Sequence, residues 1–489
     1  MAIALIRRSP TGRCELARRS LWLQEAISAE SEGVARREVL RGCQRADVCI
    51  VGGGYTGLWT ALFLLEQEPG LDIAIVEADV CGGGASGRNA GFALSWWPKL
   101  STLVGHCGEE DGRWVAEQSA QAVRYLETFC GQNGIDCQYR QGGWLWTASS
   151  AAQVGAWDSV LEAARSRDLE LFEPVGIEES RRRGGSPRLL GGILDRSAAR
   201  VHPGLLARGL RRLACDRGIR VYEESPVTGV DGSRPLTVRA VAGTVTADVV
   251  VSALNAWTFS LPQFRCLRRA VIPIASDMVA SAPNPDLLER IGLTGGEVVS
   301  DSRMMVHYYR TTDDGRITFG KGGGAIAVAG YFGEGFHYDR RRAELTAHEL
   351  RSLNPALAGL EVTHAWSGPV DRSINGLPFF GRADGQESMV YGVGFSGSGV
   401  AQCITGAKIL AGLALRQDNR WTQSALARGP ARLFPPEPVR FLGGCLVRRA
   451  IRRKERYEDA GQTAPAALAR LARLAPESYY KAQSPDDGS

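Results

Sequence analysis

No Cys-x-x-Cys pair occurs in the sequence, although it contains 11 cysteines. They fall at 14, 43, 49, 81, 107, 130, 137, 215, 266, 403 and 445, an odd and scattered set. That spacing argues against a disulfide framework or a zinc site and suits a reducing cytoplasm. Histidine is scarce. The 6 residues at 106, 202, 307, 337, 348 and 364 form no His-Glu-x-x-His pattern, so no metal site is expected. No apolar run reaches the roughly 18 residues that a membrane span needs. Arg7, Arg8, Arg18 and Arg19 are followed by no apolar core of a leader, so no secretory signal is expected. Neither sign of charge dominates: 58 basic against 53 acidic residues leave +5. Seven basic residues and Glu455 give the segment Arg440–Arg456 a charge of 7 − 1 = +6, so the rest is near neutral. A nucleic-acid-binding body is excluded on that ground. Internal repeats are also missing.

What is present is an ordinary globular composition, 44 % hydrophobic and 23 % charged over 489 residues. At this size roughly three quarters of the unfolded chain's surface is buried on folding, and about two or three domains are expected. Glycine is in mild excess at 59 residues, which points to tight turns and close approach of backbone to a ligand.

The sharpest local signal starts at Asp47. A short apolar strand, Asp47–Val51, runs into Gly52-Gly-Gly54-Tyr55-Thr56-Gly57 and then an apolar helix from Leu58 to Leu65. A second strand, Asp72–Val76, ends at Glu77. This is one βαβ unit carrying Gly-x-Gly-x-x-Gly. Gly52 allows the tight turn, Gly54 lets backbone approach a pyrophosphate, and Gly57 lets helix and strand pack closely. The free N–H groups and dipole of the helix then favour the anion. Glu77 is placed to accept hydrogen bonds from an adenosine ribose and to repel a 2′-phosphate.

Two further glycine-rich stretches separate a flavin from a nicotinamide. One is Cys81–Gly91, with Ser86, Gly87, Arg88, Asn89 and Gly91. The other, Gly394-Phe395-Ser396-Gly397-Ser398-Gly399, opens a small-residue helix some three hundred residues later. A nicotinamide needs no second helix entry so far along the chain. A flavin does, because donors near N1/C2=O stabilise its anionic reduced form.

With Val51–Gly57, Glu77, Ala85–Gly91, Val201-His202-Pro203, Ala253–Trp257 and Gly394–Gly399 in this order, the chain resembles the D-amino-acid oxidase-like FAD oxidoreductases. That family includes glycine and sarcosine oxidases, and the resemblance is nearest to its γ-glutamylputrescine oxidoreductase and aminophosphonate oxidoreductase branch. It implies an α/β fold in which a Rossmann-like FAD-binding domain is interleaved with a strand-rich substrate domain. The expected layout is an arm over 1–44, FAD-binding segments over 45–138, 191–265 and 355–415, substrate-domain segments over 139–190 and 266–354, and a basic helical tail over 416–489. Val227 joins the glycine-loop residues and Glu77 as a cofactor contact. The resemblance also implies oxidation of a small-molecule amine to an imine. O2 is the expected acceptor; another acceptor, or a tailoring oxidase of a secondary pathway, stays open, as does a flavin-binding module without turnover.

No cysteine lies in Trp366–Arg382, and Arg88-Asn89 stands where some relatives carry a histidine, so FAD is expected to be held non-covalently. Trp366, Arg372, His307, Tyr308 and Lys321 are the catalytic candidates. Arg372 suits a substrate carboxylate or phosphonate, and Lys321 suits a positive charge beside O2. Trp96 and Trp97 fit either a flavin-facing wall or core packing. His202 reads as a structural residue at a helix start. Phe441, Leu442, Leu446, Val447 and Ile451 among arginines predict an amphipathic helix in the tail. It suits anionic lipid or an acidic partner, with a solvated face packed on the body as the favoured reading. Nothing in the sequence sets the oligomeric state.

Overall fold

The computed structural model describes residues 19–30, 37–328 and 332–476. Arg7, Arg8, Arg18, much of the expected 1–44 arm and the polar end of the tail lie outside the described residues. What is described of the arm is helix α1 (Leu21–Ser28), capped by Ser20, whose hydroxyl accepts the Leu23 N–H at 3.2 Å. It is part of the interior, with Leu21, Trp22 and Leu23 all buried.

Strand β1 (Gly42–Val51) starts earlier than its apolar run because its first half pairs with a later strand. Val48–Val51 is buried on both faces, as a central parallel strand requires. Helix α2 (Tyr55–Gln67) is buried on every side as far as Leu64, so it is packed between layers rather than against one. Strand β2 (Ile73–Val76) completes the unit, with Val48 opposite Ile73. Next come helix α3 (Glu109–Gln132), strands β3 (Trp144–Thr147) and β4 (Gly192–Asp195), helix α4 (Pro203–Asp216), and strands β5 (Arg220–Tyr222) and β6 (Gly243–Ser252). Among the later elements are β7 (Val271–Ser281), β8 (Val298–Asp301), β9 (His307–Thr311), β10 (Ile317–Lys321), helix α5 (Arg340–Arg351), β11 (Val362–Ser373), β12 (Phe379–Ala383), β13 (Gln386–Val393) and helices α6 (Gly399–Ala414), α7 (Val439–Asp459) and α8 (Ala466–Arg473).

Two eight-stranded sheets result. The first runs β12-β13-β6-β1-β2-β5, with the hairpin Val227–Asp231/Leu236–Ala240 on β6; β13, β6, β1, β2 and β5 are parallel. The chain leaves β1 toward β2 on one side and returns through β6 on the other. The carboxyl end of β1 is therefore the switch point at which such sheets take ligands. The second sheet runs β11-β7-β10-β9-β8-β3-β4 and ends on Glu173–Val175, mostly antiparallel.

The second sheet also takes in β4 and β11, which fall inside the 191–265 and 355–415 segments expected to be FAD-binding. Sheet membership at those places follows long-range pairing rather than segment order. One face of this sheet packs on α5 through Val279, Tyr309 and Phe319. Its other face meets the first domain through Met278, Ala280 and Trp366, which pack with Leu21, Trp22 and Ala90.

The tail forms α7 as expected, despite Gly443-Gly444. Ala450 and Ile451 are buried against Met305, and the Glu455 carboxylate accepts the Met305 N–H at 2.9 Å. No helix among the described residues is long and apolar enough to cross a membrane.

Candidate active site

At the end of β1 the backbone leaves no room for side chains. A Cβ on Gly52, whose φ is +112°, would lie 2.6 Å from the Ala253 carbonyl oxygen, and one on Gly57 would lie 2.0 Å from the Gly52 oxygen. These contacts bring β1, α2 and β6 together around the turn. The Gly53 N–H donates to the Glu77 carboxylate at 2.7 Å and the Asp79 N–H does so at 2.9 Å. Each carboxylate oxygen keeps a lone pair for a further donor. Burial, with the Asp79 and Glu223 carboxylates adding to it, pushes the Glu77 carboxyl up to about 7. Val227 begins its strand two residues after Ser225, whose N–H bonds the Glu77 carbonyl at 2.8 Å.

The second loop folds over the first. The Tyr55 N–H at the start of α2 donates to the Ser86 hydroxyl at 2.9 Å, and a Cβ on Gly54 would lie 2.9 Å from that same oxygen. The Asn89 amide donates to the Ala85 and Ser86 carbonyls and accepts the Gly91 N–H at 2.7 Å, which staples the turn. Arg88 donates to the Gly83 carbonyl at 2.8 Å and to the Ser367 carbonyl at 3.1 Å, so it joins this loop to β11. Tyr55 and Thr56 turn their side chains inward: the phenol donates to the Pro203 carbonyl at 2.9 Å and the Thr56 hydroxyl to Cys403 Sγ at 3.1 Å. Their side chains pack the fold, which leaves only their backbone for a ligand.

The third loop is held by a residue that sequence reasoning passed over. The buried Asp371 carboxylate accepts the N–H groups of Gly394, Phe395 and Ser396. Gly394, Ser396 and Gly397 all have positive φ, at +92°, +57° and +93°, which curls these donors round one point. Burial pushes the Asp371 carboxyl up to about 6 even so. Ser398 precedes α6 without capping it; its hydroxyl donates to the Phe395 carbonyl at 2.9 Å and faces Trp96 Nε1 at 3.3 Å. Trp96 is fully buried and Trp97 packs on the same core, so core packing describes them. Arg310 was also missed. It is buried and donates to the Ala90, Thr311 and Val201 carbonyls, with its guanidinium 4.8 Å from the Trp22 ring centre. His202 caps α4 by accepting the Leu205 N–H at 3.1 Å, the structural role expected of it.

The five catalytic candidates divide between the two faces of the second sheet. Successive side chains of a strand point to opposite faces. Tyr308 lies toward the first domain, 5.9 Å from the Phe92 ring, with its hydroxyl 2.7 Å from that of Ser276. Trp366 shares this face, and its Nε1 donates to the Arg88 carbonyl at 2.9 Å. Arg372, half-buried, follows Trp366 at even spacing along β11. His307 and Lys321 face the other way, against α5. Lys321 Nζ lies 2.9 Å from His307 Nε2 and 3.0 Å from Glu349. Burial, with the Lys321 charge beside it, holds the His307 imidazole well below its usual range, so it stays neutral. The pleat brings Lys321 and His307 together with Glu349 in a polar network on the face of the sheet that packs on α5.

The cradle fits FAD. Glycines crowd the β1–α2 turn, Glu77 keeps free lone pairs, and α6 starts without a side-chain cap. A family model described as FAD dependent oxidoreductase, the DAO family, matches residues 47–413. The chain belongs to this family. It is 30 % identical to gamma-glutamylputrescine oxidoreductase of Escherichia coli (strain K12), over 83 % of this chain and 92 % of that one. It is 25 % identical to sarcosine oxidase subunit beta of Rhizobium meliloti (strain 1021), over 69 % and 76 % of the two chains. Among solved structures, glycine oxidase from Geobacillus kaustophilus superimposes with a TM-score of 0.64 at 21 % identity, over 77 % of this chain and 96 % of that one. The protein is an FAD-dependent oxidoreductase of mixed α/β fold.

Proposed function

We propose that this oxidoreductase oxidises a primary or secondary amine at the carbon beside nitrogen, with O2 as acceptor. An amino acid, a polyamine derivative or an aminophosphonate fits this class. The observation that carries it is the bond from Trp366 Nε1 to the Arg88 carbonyl. It seats the aromatic face of the second sheet directly on the second glycine loop. When bound, FAD would supply the two-electron acceptor for the substrate's C–H bond and pass the electrons to O2 as hydrogen peroxide; water would hydrolyse the imine product to a carbonyl compound and ammonia or, from a secondary amine, a primary amine.

The chain's own residues supply position and dryness. Glu77, Ser86, Gly87, Arg88, Asn89, Gly91 and Val227, with the backbone of Gly52–Gly57 and Gly394–Gly399, hold the dinucleotide without a covalent bond. Tyr308, fixed through Ser276, and Trp366 form an apolar wall that excludes water and favours the neutral amine. Arg372 on the same face receives a substrate carboxylate or phosphonate in a two-pronged contact.

The relatives support this reading, since those named above act on γ-glutamylputrescine, sarcosine and glycine by their names. The test is anaerobic mixing with a panel of aminoalkylphosphonates, polyamine derivatives and N-methyl amino acids. Loss of the yellow absorbance with at least one member, restored promptly by air, is the expected result. A flavin that no amine bleaches contradicts amine oxidation, and one that recovers only over many minutes contradicts O2 as acceptor.

A further inference from the structure

Helix α7 buries Ala450, Ile451 and Glu455 against the second domain and leaves its opposite side bare. The bare side has a pattern. Val439, Leu442 and Leu446 are 58 %, 56 % and 57 % exposed. Arg449, Arg453 and Arg456 continue the same line, also exposed. The steps between these six residues alternate three and four, which keeps them on one stripe of an α-helix. Its first half is aliphatic and its second half cationic.

The charges on this stripe are unspent. Every acidic side chain of α7 and of the two residues before it is already engaged: Glu437 with Arg440, Glu458 with Lys454, Asp459 with Arg303, and Glu455 with the Met305 N–H. Among the described residues Arg449, Arg452, Arg453 and Arg456 have no acidic partner. Arg453, Arg456 and Tyr457 also line an open cleft of about 660 Å³ between α7 and α8.

We propose that α7 is a peripheral anchor that lays this stripe on an anionic lipid surface. The aliphatic half enters the boundary between headgroups and acyl chains, while the guanidinium groups meet lipid phosphates and the α7–α8 cleft receives a headgroup. Charge complementarity selects this occupant. A nucleic acid has nothing to offer Val439, Leu442 and Leu446. A second copy of α7 brings four more unpaired arginines and no free carboxylate. The inference stands apart from the proposed amine chemistry, because its test involves no turnover.

The FAD-loaded full chain is sedimented with vesicles of phosphatidylcholine, with and without phosphatidylglycerol, at low and high salt. Binding to the phosphatidylglycerol vesicles alone, lost at high salt, is expected. Replacing Arg449, Arg453 and Arg456 by Gln lowers the partition coefficient roughly a hundredfold. Leu442→Ser with Leu446→Ser lowers it roughly tenfold. Flavin content and melting temperature stay unchanged in both variants, since the side chains removed are exposed. Three results overturn the proposal: no binding to anionic vesicles, equal binding to both vesicle types, or binding that neither variant weakens. A dimer seen in analytical ultracentrifugation and dissolved by the leucine substitutions also overturns it and assigns the stripe to a second copy.

Discussion

The Asp371 carboxylate accepts the Ser396 N–H at 3.2 Å, and the two preceding N–H groups of the loop converge on the same side chain. A buried anion thus organises the backbone that leads into α6. Its own carboxyl is pushed up by burial, a cost that the three donors offset only in part. Asp371→Ala leaves those donors without an acceptor. We expect a loss of about 3 kcal/mol or more in stability, and a parallel loss of FAD affinity. Asp371→Asn, which keeps one acceptor oxygen, is expected to lose less. Thermal melting and FAD titration of both variants check the order.

FAD affinity is expected to rise with pH through the Glu77 carboxyl. Burial pushes this group up to about 7 in the apoprotein, so it is largely protonated at pH 6. A ribose hydroxyl donating to Glu77 favours the ionised form, and binding therefore releases a proton as it lowers the pKa. The sign follows: affinity increases as pH climbs through 7 and levels off above it. Between pH 6 and pH 8 the gain is roughly tenfold. Glu77→Gln, which has no proton to lose, flattens the profile. Fluorescence titration at the two pH values separates these outcomes.

Lys321→Met is expected to leave reoxidation of the reduced flavin by O2 unchanged within about twofold. Its ammonium group is on the far side of the second sheet, engaged with His307 and Glu349. Stability falls by about 1 kcal/mol as this partly buried pair is broken. Stopped-flow mixing of the reduced enzyme with oxygenated buffer reads the first quantity.

Acid precipitation is expected to release all the yellow chromophore into the supernatant. Cys403 and Cys81, which lie against the first glycine loop, are both buried, and Cys403 Sγ accepts the Thr56 hydroxyl at 3.1 Å. Colour retained by the pellet contradicts non-covalent binding.

The parts of this site that the sequence discloses are those in which the constraint is local. Gly52 and Gly57 are dictated by backbone contacts within one βαβ unit, so strand, turn and helix are readable together. The helix start at His202 is local in the same sense. Which face Lys321 and His307 occupy is not legible in the sequence, because the facing of a strand is fixed by its partners. Neither the pairing of His307 with Lys321 nor the Glu349 contact is visible in composition. Asp371 and Arg310 were overlooked for a related reason: they bind main-chain N–H and carbonyl groups distant in sequence, and such partners carry no residue identity. That β4 and β11 join the second sheet is likewise not legible, because membership is set by pairing across long stretches of chain.

The central claim is that glycine-rich loops remote in sequence grip one FAD at the carboxyl end of β1. Calorimetric titration of FAD into apoprotein tests it directly, for the wild type and for Gly54→Val, whose side chain displaces the Ser86 hydroxyl. The account predicts one FAD per wild-type chain and no binding heat in a variant that still melts cooperatively. A wild-type protein that takes up no FAD, or a Gly54→Val protein that binds it as well as the wild type, contradicts the account.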